Sequence, residues 1–169
     1  MRKRLNYWQI GGFVFTGIVG TLLHFAYNWS NQSVFFAPFS AINESIWEHM
    51  KLLFFPMFVF ALTENIFLGN EYENFWCVKL LGITLGILLI PILYYSYTGI
   101  FGIEKDWINI SIFFLANAAT YLLEIWLLKR ELPVCAHPLL ALFLLCLIAF
   151  VFVLFTFVPP TIPLFEPPN

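Results

Sequence analysis

Apolar residues run along this chain in long blocks, with neither the strict alternation of a strand nor the single stripe of a surface helix. Five blocks approach the roughly 20 helical residues that a hydrocarbon core of about 30 Å requires. They cover residues 8–27, 43–68, 75–95, 108–128 and 138–158, and each is predicted to be a transmembrane helix. The connections are short except for 28–42, so residues 1–169 read as one all-α domain, a polytopic membrane helix bundle. The tail, 159–169, holds five prolines and should run extended.

The second block is the least regular. Its uninterrupted apolar part, 52–62, would span only about 17 Å as a helix. Completing the crossing draws Lys51, His49, Glu48 and Glu44 below the membrane interface. A charge facing lipid costs about 2.5–3.5 kcal/mol at the membrane centre and less toward the interface, so such groups turn toward partners or water. On a helix that begins at Asn43, Glu44, Glu48 and Lys51 share one face, with Ser45 and His49 on the adjacent strip. His24 falls at the same depth on the first helix, on a face with Gly17, Gly20 and Asn28. Small residues there let a neighbouring helix come close.

Imidazole nitrogen and carboxylate oxygen are common ligands of zinc and other divalent ions. His24, Glu44 and His49 are therefore the candidate metal ligands, and a divalent ion such as zinc is the candidate cofactor. Glu48 is the candidate catalytic residue, a general base for water on that ion. The spacing is not the HExxH of zinc proteases. The same segment also has a purely structural reading, in which Asn43 caps the helix, Glu44 suits the helix dipole and Glu48 pairs with Lys51.

Elsewhere, Pro56 and Pro91 each remove a backbone hydrogen bond at similar depth, and kinks there would open a cavity beneath the cluster. Asn109, Asn117, Thr120 and Glu124 form a stripe on the fourth helix that should face the bundle. It reads as a polar path, or as interhelical hydrogen bonding with Glu124 meeting Lys129 or Arg130. Lys79 should snorkel to the interface. Tyr94, Tyr95, Tyr97 and Trp107 should form an aromatic belt.

Composition fixes the solvent: with 61% hydrophobic and only 11% charged residues, the lipid bilayer is the expected partner of most of the surface. A net charge of −2 and the lack of a basic stripe exclude nucleic acid. Arg2, Lys3 and Arg4 fall on the same side as Lys129 and Arg130 if five helices alternate. The positive-inside rule then puts the N-terminus in the cytoplasm and the C-terminus outside. Cys77, Cys135 and Cys146 form no CxxC pair and are expected as free thiols.

The segment Asn43-Glu-Ser-Ile-Trp-Glu-His-Met-Lys-Leu-Leu-Phe-Phe-Pro56 resembles the signature of an uncharacterised family of small bacterial multipass membrane proteins, a domain of unknown function. The tail Phe157-Val-Pro-Pro-Thr-Ile-Pro-Leu-Phe165 resembles that family's ending. The resemblance implies a five-helix protein of the bacterial inner membrane and supplies no activity. Three functions fit the residues: a metal-dependent membrane hydrolase acting on a lipid or amphipathic ligand, a proton- or cation-coupled carrier using Glu44, Glu48 and Glu124, or an assembly partner in the membrane. Oligomeric state is not legible.

Overall fold

The computed structural model describes residues 2–130 and 137–167, which form five long α-helices with no strand among them. These are α1 (Arg2–Trp29), α2 (Ile46–Leu68), α3 (Phe75–Phe101), α4 (Asp106–Arg130) and α5 (Pro138–Phe157). All five are long and apolar enough to cross a membrane. Each of the first four packs on the next, α4 closes back on α1, and α5 lies outside this ring against α3 and α2. One end of the bundle carries the N-terminus and the α2–α3 turn. The other carries the long α1–α2 connection, and is called the loop end below.

The outer faces are greasy: Ile10, Ile18, Leu88, Ile92, Phe143 and Phe150 are all exposed. Lipid, which matches such side chains, removes the cost that water would impose on them. Between helices the fit is close where glycine allows it. A Cβ on Gly20 would sit 2.7 Å from the Leu52 carbonyl oxygen. That carbonyl lies four residues before Pro56, whose missing N–H leaves it without its helical partner. Gly20 thus brings α1 against the polar gap that Pro56 opens in α2.

Helix ends differ from expectation in ways that matter. Ser45, not Asn43, caps α2: it is extended, at φ −68° and ψ 156°, and its hydroxyl accepts from the Glu48 amide at 3.4 Å. The Asn43 side chain instead accepts from the Ser45 amide at 2.9 Å, forming a turn ahead of the helix. α3 runs past position 95, and there the Ser96 and Thr98 hydroxyls donate back to the Ile92 and Tyr94 carbonyls of the preceding turn. Gly102, at φ +62°, ends it and donates to the Thr98 carbonyl.

The proline-rich tail is not wholly extended. Pro163–Phe165 makes a 3-10 turn, and Phe165 packs on Trp47 with ring centroids 4.5 Å apart. Cys77 is disulfide-bonded, which corrects the free thiol expected there. Cys146 is free and exposed, and Cys135 lies outside the described residues.

Candidate metal centre

The contact of Gly20 with Leu52 sets the register of α1 on α2. One turn nearer the loop end, that register brings His24 opposite His49, with ring centroids 5.6 Å apart. Because α2 starts only at Ile46, Glu44 is off the helix and free to bend toward the two rings. Its carboxylate oxygens lie 3.8 Å from His24 Nε2 and 3.7 Å from His49 Nε2. One ligand atom from each of the three residues falls within 4.8 Å of the others. Ligands on a tetrahedral zinc at about 2.1 Å are about 3.4 Å apart, a difference that side-chain rotation closes.

Hydrogen bonding prepares one of these atoms. His49 Nδ1 lies 2.9 Å from the Ser45 carbonyl oxygen. A carbonyl only accepts, so Nδ1 carries the hydrogen and the neutral ring keeps its lone pair on Nε2. That lone pair faces the Glu44 carboxylate, also an acceptor. Two acceptors turned toward each other call for a cation or a shared proton between them.

The three residues lie on the wall of a cavity of about 800 Å³ at the loop end, within the usual range for small-molecule sites. Its apolar side is made by Phe25 of α1 and Ile110, Phe113 and Phe114 of α4. Phe25, Ile110 and Phe114 also reach the exposed surface, so the cavity borders the lipid-facing side between α1 and α4. Glu104, Asp106 and Asn109 line the same cavity. Asn109 accepts from the Tyr97 hydroxyl at 2.6 Å, and its amide donates to Glu104 at 3.4 Å. Tyr94, expected in an aromatic belt, is buried on the cavity wall that Glu104 also lines. Glu104 and Asp106 escaped sequence reasoning because they flank Lys105 in a segment read as an outer loop.

Glu48 stands apart from this group. Its carboxylate takes a hydrogen bond from the Ile42 amide at 2.9 Å and pairs with Lys51 Nζ at 2.8 Å. Lys51 also donates to the Ala37 carbonyl at 3.0 Å and the Thr156 hydroxyl at 2.8 Å, tying the α1–α2 connection to α2 and α5. Glu44, Glu48 and Lys51 therefore do not converge as a shared helix face implied. Glu44 joins the histidines, while Glu48 and Lys51 form a separate buried pair.

A second charged cluster lies near the N-terminal end. Lys79 Nζ is 2.5 Å from Glu64 Oε2 and 2.5 Å from Glu124 Oε2, and Gln9 Nε2 donates to Glu64 Oε1 at 2.6 Å. Lys79 does not snorkel: it is buried beside the rings of Phe75 and Tyr121. Glu124 meets Lys79 and not Lys129 or Arg130. Asn117 and Thr120 of the same stripe face the bundle, donating to the Phe13 and Gly82 carbonyls at 3.0 and 3.1 Å.

Five membrane-length helices among the described residues, with apolar outer faces, charged clusters buried between them and a cavity at one end, define a multi-pass membrane protein with a three-residue candidate metal centre. The chain belongs to a family of unknown function, DUF6512, whose family model matches residues 1–168. No curated protein and no solved structure matches it.

Proposed function

We propose that this protein is a metal-dependent membrane hydrolase whose His24, Glu44 and His49 hold a divalent ion, zinc by ligand type, and whose substrate is a lipid or similar amphipath. The observation that carries the reading is the convergence of two imidazoles and a carboxylate, from α1, α2 and the segment between them, on one cavity wall. Three protein ligands leave a position open, as in catalytic rather than structural zinc sites. An ion held there would supply a Lewis acid and an ionised water at neutral pH. Glu48 is paired with Lys51 and does not line the cavity, so the proton of that water is assigned to Glu104, an acid that does line it. The apolar side, bordering lipid between α1 and α4, suits a chain that stays in the membrane while its polar head meets the ligands.

The basic flanks support a cytoplasmic N-terminus, and with that orientation in a bacterial inner membrane the site would lie toward the outer leaflet. The disulfide at Cys77, near the opposite end of the bundle, weighs the other way because disulfides are rare in the cytosol. A topology reporter fused at the N-terminus decides between them.

Metal analysis of protein purified in detergent without chelator tests the central reading. About one divalent ion per chain is expected in the wild type, with near-complete loss in His24→Ala and Glu44→Ala. Glu104→Gln should keep the ion but lose hydrolysis of a fluorogenic phospholipid. Wild-type protein that holds no ion after incubation with zinc sinks the proposal.

A further inference from the structure

We infer that the buried Gln9, Glu64, Lys79 and Glu124 cluster is a proton-binding site that holds one proton between its two carboxylates at neutral pH. Charge and geometry both lead there. Two ionised carboxylates around one ammonium leave a net charge of −1 inside four packed helices, all three side chains being at most 2% exposed. An uncompensated charge in such surroundings is costly, and a carboxylate relieves that cost by taking up a proton.

Among the described residues, the elements around the cluster supply no compensating cation. From α1 come Gln9 and Thr16, from α2 Glu64, from α3 Lys79, and from α4 Tyr121 and Glu124. Tyr121 is spoken for by the Thr16 hydroxyl at 3.0 Å. Arg4, further toward the N-terminal end, pairs with Glu71 at 2.6 Å. None of these neighbours adds a second positive charge.

The hydrogen bonds carry an independent sign of the same proton. Gln9 is fully buried, its amide nitrogen donates to Glu64, and its oxygen has no hydrogen-bond donor. A buried site short of donors gains one when a carboxylate becomes a carboxylic acid, and rotation of the Gln9 amide would present its oxygen to that O–H. The step is a simple addition: one proton from water joins one carboxylate oxygen, and the cluster becomes neutral.

Infrared difference spectroscopy of the full-length protein in nanodiscs tests this. Wild type at neutral pH should show the C=O stretch of a protonated carboxylic acid, shifting in heavy water. Either Glu64→Gln or Glu124→Gln leaves one carboxylate with one ammonium, so each should abolish that band. Glutamine imitates the neutral acid in shape, so at least one of the two variants should fold as stably as wild type. No acid band in wild type, a band that survives in both variants, or failure of both variants to fold overturns the inference. A band that appears only when sodium and potassium are withheld makes a monovalent cation the occupant, and also overturns it.

Discussion

At the N-terminal end, Glu64, Lys79 and Glu124 are shut in, with side chains at most 2% exposed, whereas at the loop end Glu44 is 64% exposed and its histidine neighbours 28% and 22%. Both regions use acids and bases contributed by different segments, but packing separates their chemistry. Around the first, glycines bring backbone and ring to the charges: a Cβ on Gly82 would sit 2.7 Å from Glu124 Cγ, and one on Gly12 would sit 2.5 Å from the Tyr121 ring. Around the second, the chain leaves a cavity and ligand atoms not yet committed. Ion pairs without room hold helices together and take at most a proton, while similar groups beside room can take a ligand.

The largest effect should come from the closed region. Lys79→Met leaves the two buried carboxyl groups without their cation, and removing one partner of a buried pair typically costs about 3–5 kcal/mol. Thermal unfolding in detergent should show a large drop, or the variant should fail to purify as a folded species. Metal content should not change in whatever folded fraction remains. A mild loss would mean that lipid or water reaches the cluster, and the contrast between the two ends would fail.

Next comes packing without charge. Gly82→Ala pushes a methyl group into Glu124, and overpacking of this kind costs about 1–3 kcal/mol. Gly99→Ala is the control, because nothing lies within 4 Å of a Cβ there. It should stabilise α3 by up to about 1 kcal/mol through helix propensity alone. Equal responses at the two glycines would show that Gly82 does not set the approach of α3 to α4.

His49→Ala reverses the pattern of Lys79→Met. The ring is partly exposed and makes one local hydrogen bond, so stability should move by no more than about 1 kcal/mol. Bound metal should fall to background. A stability loss as large as that of Lys79→Met would mark the loop end as another structural polar cluster.

The five helices are legible in the sequence because each is a nearly unbroken apolar block, and lipid imposes that pattern without help from tertiary contacts. The meeting of His24 with His49 is partly legible for a similar reason: depth along a helix follows from counting residues, and both fall about one turn inside the loop end. What counting cannot supply is rotation and approach. By sequence Lys79 is free to snorkel and Glu64 carries no signal, because only the packing of α1, α3 and α4 shows that both are enclosed. Glu44 was placed on the wrong side of a helix start, since Asn43 and Ser45 are equally good caps by type and only the backbone shows which is used.

That three-residue shift in helix start yields the smallest and most discriminating prediction. Ser45 serves α2 twice: its hydroxyl caps the helix at the Glu48 amide, and its carbonyl holds His49 Nδ1. Ser45→Ala removes the first and keeps the second. Stability should fall by about 1 kcal/mol, the usual cost of a lost cap, while metal binding stays within a few-fold of wild type because the carbonyl still fixes the imidazole tautomer. Ser45→Pro would confound the two by fixing the backbone angle as well, so alanine is the informative change. If Ser45→Ala abolishes metal binding with stability intact, the hydroxyl itself belongs to the ligand set, and the centre is built on the cap rather than beside it.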